Sequence, residues 1–315
     1  SKDDVRDYYD AMIKDYVLGP PFMLHAVNPP LMSASWILVR ESLIVKGHVN
    51  RLTKEAIAGG VAISNQCPFC VEAHINMSGG KTSYEDRRLF DWSKHHYDVD
   101  HEIIKNPPFG KEEAPEILGT VLAFHYINRM VSAFVTDYPL PLPDFLAFMK
   151  PVISSFFKMT ASKNLINVRA QPGEFPEKLP MKGISAQFAW SLRSPYIGTS
   201  FTSFNYIIAQ HGQHVIPDNV RQRTIEFFQN WNGEQYGVSN QWLIQATEGF
   251  SDVNREIAQL VLLSGIQAYK ISEARLFKLR NMGISDHDLV TITAWGAWQA
   301  VKKINSWIST PFLDR

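Results

Sequence analysis

The chain has 315 residues, 45% of them hydrophobic and 20% charged, enough to bury a sizeable core and, at this length, to build two units. Its 31 basic residues balance 31 acidic ones, so no bulk field draws it to nucleic acid or an anionic membrane, and neither is expected as a partner. It contains no phosphate-binding loop, dinucleotide fingerprint or basic run, and no resident cofactor is expected.

Apolar residues recur at helical spacing over 3–17, 31–46, 52–64, 67–78, 83–96, 115–136, 144–160, 196–211, 218–231, 253–270, 272–282 and 286–308. No alternating strand set accompanies them, so the fold class is all-α, a helical bundle. The opening SKDDVRDYYDAM is charged and carries no apolar h-region. The most apolar stretch, 117–135, includes His125, Asn128 and Arg129, which marks a buried core helix rather than a membrane span. Proline and glycine cluster at 138–143 and 171–183, framing a hinge around the 144–160 helix. Ser285 with Asp288 forms a capping box for the last helix, after a stop at Gly283.

Chemistry concentrates in one place. Cys67 and Cys70 are the only cysteines, and His74 follows four residues after Cys70. At about 100° per residue on a helix, Cys67 and Cys70 lie about 60° apart and Cys67 and His74 about 20° apart, so the three share one face. Ser64-Asn65-Gln66 supplies turn and cap chemistry and Pro68 suits a first helical position. Cys67 then stands near the N-cap and Cys70 in the first turn, where free amides and the helix dipole favour a thiolate and His74 can exchange its proton. Closing so short a loop adds only about 2 kcal/mol of stability, so a Cys67–Cys70 bridge can form and break without dismantling the fold. Such cysteine usage points to a reducing compartment, the cytoplasm, rather than to a disulfide-stapled secreted protein.

Each of these residues has a plainer reading. Zinc on both cysteines, His74 and Glu55 competes with redox chemistry, but zinc sites draw on two separated ligand pairs, and no metal is expected. Glu55 sits in an otherwise apolar helix and needs a partner, for which a salt bridge with Arg51 suffices. Gly59-Gly60 in the same helix implies close helix packing. His125, Asn128 and Arg129 share one face of their helix, where a buried hydrogen-bond set accounts for them. His95 and His96 read as a solvated helix end, and His211 and His214 as loop residues. Trp295, Trp298 and Trp307 read as core or subunit interface.

Glu55, eleven intervening residues, then Cys67, Cys70 and His74 make a constellation that resembles the AhpD-like alkylhydroperoxidases of the carboxymuconolactone decarboxylase-like superfamily. Asn28-Pro29-Pro30-Leu31-Met32 opening a helix, the 49–55 lead into the Glu55 helix and the 115–135 closing helix with Asn128 and Arg129 extend the resemblance over about 20–140. It implies an AhpD-like bundle in which Cys70 attacks a hydroperoxide, Cys67 resolves the sulfenic acid, and Glu55 and His74 relay protons. An external dithiol or redox protein would then regenerate the thiols. Some members carry a histidine just before the second cysteine; that position is Phe69 here, and because the resemblance puts the closing helix near the cysteines, it makes His125, Asn128 and Phe69 candidate pocket residues.

The second half reads as a worn copy of the first. Ser194-Pro195 parallels Asn28-Pro29-Pro30, 215–226 parallels 48–58, and 288–307 shares the apolar rhythm of 116–135, without any cysteine. The expected organisation is a catalytic unit at 1–140, a linker with one helix at 141–185, and a degenerate repeat at 186–315. Phe124, Tyr126, Phe134, Trp295, Trp298 and Trp307 on the closing helices suggest a homo-oligomer. The leading expectation is a thiol-dependent hydroperoxide reductase or disulfide oxidoreductase. A decarboxylase-like enzyme of the same superfamily and a redox sensor without turnover are the alternatives.

Overall fold

The computed structural model describes residues 2–16, 19–77, 84–135, 170–175 and 178–313. The described residues form helices and turns with no strand, so the protein is all-α. The helix expected at 144–160 and the 138–143 cluster lie outside the described residues, as does part of the 171–183 cluster.

The first half contributes α1 (Lys2–Asp15), α2 (Pro20–Met23), α3 (Pro29–Val39), α4 (Arg51–Ser64), α5 (Pro68–Met77), α6 (Tyr84–Lys94), α7 (Glu102–Lys105) and α8 (Ala114–Phe134). The second contributes α9 (Pro195–Val215), α10 (Asp218–Asn230), α11 (Gln241–Ala246), α12 (Asp252–Ile266), α13 (Glu273–Asn281) and α14 (Asp286–Ile308). Three short helices, α2, α7 and α11, and the 3₁₀ turns at Ala186–Ser191 and Thr310–Phe312 escape periodicity because each is too brief to show one.

α8 is the axis of the molecule. It packs against α4, α5, the end of α3 and α14, so nearly every side chain along it is buried. It is also long and apolar enough to cross a membrane by length and composition, but 89% of that window is buried inside the protein. Its uniform apolarity follows from being surrounded. α3 lies on α9, and α14 lies on α12 and α9, so the two halves share one core. Trp295 and Trp298 are buried within this chain, as are Phe124 and Tyr126. The aromatic surface from which an oligomer was expected is therefore largely consumed internally.

Polar ties fix the frame around α4. The buried Lys54 ammonium meets Glu116 at 2.6 Å. Glu116 also accepts the His48 amide at 2.7 Å and the Val49 amide at 3.3 Å, locking the entry of α4 to the head of α8. α3 runs on into a π turn, Arg40–Ile44, which turns Arg40 and Glu41 inward. Arg40 donates to Asp15 (2.7 Å), Glu41 (2.8 Å), Glu174 and the Gln171 carbonyl (2.9 Å), stitching α1 and the 170–175 segment to the first half.

Gly60 bears out close packing in α4: a Cβ there would meet Ser93 Oγ at 1.8 Å and the Phe90 carbonyl at 2.8 Å, which lets α6 lie directly on the helix. Two local expectations fail. His96 is fully buried rather than solvated, and His211 and His214 lie within α9 rather than in a loop, because that helix runs through Gly212 to Val215.

Candidate active site

α4 and α5 meet at a tight turn that presents the cysteines. Asn65 follows the last turn of α4, and Gln66 takes the left-handed conformation, φ 53°. The Gln66 amide donates to the Ile63 carbonyl at 3.0 Å and the Cys67 amide to the Ala62 carbonyl at 3.0 Å. This is a Schellman cap with glutamine where glycine is usual. It delivers Cys67 at the head of α5, where its carbonyl accepts the Val71 amide at 2.9 Å. Pro68 occupies the first helical position, and the Phe69 and Cys70 amides belong to the first turn, which has no intrahelical acceptor for them.

Cys67 and Cys70 are joined in a disulfide with Cα atoms 5.3 Å apart. They are only 1% and 3% exposed, and the neighbouring Glu55 and His74 are 0% and 5% exposed. The structure thus brings together the four residues singled out from the sequence. His74 Nδ1 lies 2.6 Å from Glu55 Oε2. The other carboxylate oxygen, Oε1, accepts from Arg51 Nε at 2.8 Å and from Arg51 Nη2. Burial would raise the Glu55 carboxyl, but the Arg51 guanidinium and His74 outweigh it and hold it below the usual carboxylate range.

An ionised carboxylate can only accept. His74 Nδ1 therefore carries the hydrogen, and Nε2 is the basic position of the ring. Arg51 enters the sequence reading only as a rival explanation for Glu55. In the structure both hold at once, one oxygen for each partner. The arrangement is an oriented imidazole backed by a fixed anion, the logic of a catalytic triad's second and third members. Ionised and held on both oxygens, the Glu55 carboxylate is placed to orient the imidazole.

Two further residues border this group without any sequence signal. Tyr16, just beyond α1, lies under the Arg51 guanidinium, 5.1 Å from ring centroid to charge, and donates to Met77 Sδ at 3.4 Å. Burial, with Glu55 adding to it against Arg51, keeps its phenol protonated. Phe124 of α8 meets the His74 ring edge-on at 4.5 Å. Both come from elements distant in sequence, so spacing could not have found them.

His125 faces elsewhere. Its Nε2 pairs with His96 Nδ1 at 2.9 Å and its Nδ1 lies 3.1 Å from Asn65 Oδ1, which also accepts from Tyr97 Oη (2.6 Å) and Arg129 Nη1 (3.0 Å). Arg129 Nε donates to the Gly265 carbonyl at 2.8 Å and Trp307 Nε1 to the His96 carbonyl at 2.9 Å, so this buried set ties the α4–α5 turn to the second half. Burial foremost, with Arg129 and His96 beside it, holds His125 well below the ordinary histidine range and hence neutral. His125 contributes no bond to His74 or Glu55, and the hydrogen-bond-set reading fits its position. Phe69 is partly exposed at the rim beside Cys70. Asn128 is buried, and neither of its side-chain polar atoms has a partner among the described residues.

A shallow cleft lined by Ser64, Gln66, Lys94, His95, Tyr97 and Gly233 opens one residue from Cys67. Gly233, at φ 93°, allows its loop to rest on the Tyr97 carbonyl, which a Cβ would meet at 2.1 Å. Among the described residues, no group of three or more His, Cys, Asp or Glu side chains is placed to hold a metal ion.

No family model matches the chain. It is similar to a curated Mycobacterium tuberculosis protein named alkyl hydroperoxide reductase, with 28% identity over 307 residues, covering 92% of this chain and 86% of that protein. Coverage this broad runs well into the cysteine-free half, so the similarity belongs to the whole bundle and not to the C-x-x-C motif alone. At that coarse level the likeness agrees with the alkylhydroperoxidase resemblance carried by Glu55, Cys67, Cys70 and His74.

Proposed function

We propose that the chain reduces hydroperoxides with the Cys67–Cys70 pair and is returned to the dithiol by an external dithiol or redox protein. The observation that carries this reading is the disulfide at the head of α5, beside an imidazole fixed by a buried, ionised carboxylate. The name of the similar M. tuberculosis protein, alkyl hydroperoxide reductase, supports the same chemistry.

In the reduced protein His74 Nε2 takes the Cys70 proton, and the first-turn amides and helix dipole favour the thiolate. The thiolate attacks the terminal peroxide oxygen and the O–O bond breaks. Cys70 becomes a sulfenic acid, and the departing alkoxide takes a proton from the imidazolium to leave as an alcohol. The Cys67 thiol displaces water from the sulfenic acid and closes the disulfide. A dithiol of the reductant then exchanges with that disulfide and carries away its two electrons. Glu55 holds the Nδ1–H tautomer throughout, and Arg51 holds Glu55. The cysteine-free half, a degenerate repeat in this reading, braces the site through Asn65, His125 and Arg129.

The test is steady-state consumption of cumene hydroperoxide with dithiothreitol as reductant. Wild type turns over, and Cys70→Ser does not. A wild type that is oxidised once and never recycled by any dithiol would make the pair a sensor. A protein inert to peroxide would leave the decarboxylase-like alternative.

A further inference from the structure

Asn128 is 0% exposed, and neither its carboxamide oxygen nor its nitrogen has a hydrogen-bond partner among the described residues. A buried amide is normally bonded at both ends, and one left open inside a core is costly enough to need a reason. Its place on α8 gives one. One turn earlier, Phe124 touches the His74 ring, and the flanking His125 and Arg129 bond to Asn65. The chain between Asn65 and His74 contains both cysteines. On a helix Asn128 lies about 40° from Phe124 and about 100° from Arg129, in the sector that faces the span from Asn65 to His74. The unmatched carboxamide therefore lies on the side of α8 turned toward the segment that carries the Cys67–Cys70 pair.

We propose that Asn128 is the hydroperoxide-binding residue. The inference rests on the peroxide-reducing function above and adds the group that holds the substrate. A carboxamide offers two N–H donors and a carbonyl acceptor; a hydroperoxide offers one O–H donor and two accepting oxygens. With the terminal O–H donating to Oδ1, the terminal oxygen is held for the Cys70 thiolate. With Nδ2–H donating to the inner oxygen, the negative charge that develops there as the O–O bond breaks is met by a fixed donor. The electrons pass from sulfur to the peroxide, and the alkoxide is protonated by His74, as in the overall reaction. A residue with only structural work at this position would be better apolar.

Asn128→Leu keeps the volume and removes both polar atoms. Fully reduced wild type and variant are mixed with cumene hydroperoxide, and thiolate loss is followed at 240 nm in a single turnover. The second-order rate of oxidation falls about 10²-fold, the order seen on removing one preorganised donor. The thermal midpoint stays equal or rises, and the 240 nm thiol titration and the rate of disulfide reduction by dithiothreitol do not change. If the leucine variant fails to fold, Asn128→Ala carries the same measurements. Oxidation within twofold of wild type overturns the assignment, as does a thiol titration shifted far enough to account for the whole loss. A wild type that reacts with peroxide beside an equally fast variant sinks Asn128 alone; a wild type that does not react sinks the peroxidase reading with it.

Discussion

Glu55 is asked to do two things, and substitutions at Glu55 and Arg51 separate them. Its two oxygens are divided between Arg51 and His74, and all three groups are buried or nearly so, with the Arg51 side chain 7% exposed. Glu55→Gln removes the charge while keeping one acceptor. Breaking a buried ion pair from one side costs about 3–5 kcal/mol, and the retained oxygen places this variant near the lower end, at about 3 kcal/mol. Adding Arg51→Met removes the stranded guanidinium, and the double variant should return to within about 1 kcal/mol of wild type, a recovery of about 2 kcal/mol over Glu55→Gln alone. Activity should not follow stability. Without a carboxylate to fix the tautomer and support the imidazolium, turnover falls by about 10²–10⁴ in Glu55→Gln and stays there in the double variant. Urea unfolding by circular dichroism reads the first quantity and peroxide consumption the second. A Glu55→Gln protein that loses less than about 0.5 kcal/mol, or a double variant that regains turnover, would refute the argument.

Acid should unfold the protein early. Burial pushes His25 down to about 4 and His96 to about 3, and His125 lies well below its ordinary value. The folded state refuses protons that the unfolded state binds from about pH 6.5, so this stability is complete above that pH and lost as pH falls toward the folded values. Three such groups give a slope of up to about 4 kcal/mol per pH unit; urea midpoints that are flat between pH 6.5 and 5 would contradict it. Gln66→Gly should stabilise by about 1 kcal/mol, because the residue is exposed and left-handed, and a lower thermal midpoint would show that the glutamine side chain has a role of its own. Reducing the disulfide should cost about 2 kcal/mol or less and leave the far-ultraviolet spectrum intact; a large loss of helix on reduction would make the bridge structural.

Local order supplied most of what the sequence discloses. The long helices are legible because apolar spacing, Pro29, Pro68 and Pro195 at helix starts, and the Ser285 cap all act within a few residues. Glu55, Cys67, Cys70 and His74 are legible because two adjacent helices carry them all. What could not be read depends on distant pairing. Tyr16, just after α1, reaches Arg51 and Phe124 of α8 reaches His74, and His96 is buried where Trp92, His125 and Trp307 meet it. Arg51 was visible at four residues from Glu55, but spacing alone cannot say that one carboxylate serves two partners. Phe124, Tyr126, Trp295 and Trp298 could be core or interface by spacing alone, and only the packing of α8 on α14 shows them buried within the chain, with Phe134 and Trp307 partly exposed.

The central claim is that Cys70 is the atom oxidised by peroxide and Cys67 the one that resolves it. Reduced wild type, Cys67→Ser and Cys70→Ser are each treated with one equivalent of hydroperoxide in the presence of dimedone and analysed by mass spectrometry. The account predicts a Cys67–Cys70 disulfide in wild type, a dimedone adduct on Cys70 in Cys67→Ser, and no adduct in Cys70→Ser. An adduct on Cys67 in the Cys70→Ser protein, with Cys70 unmodified in its counterpart, would contradict it.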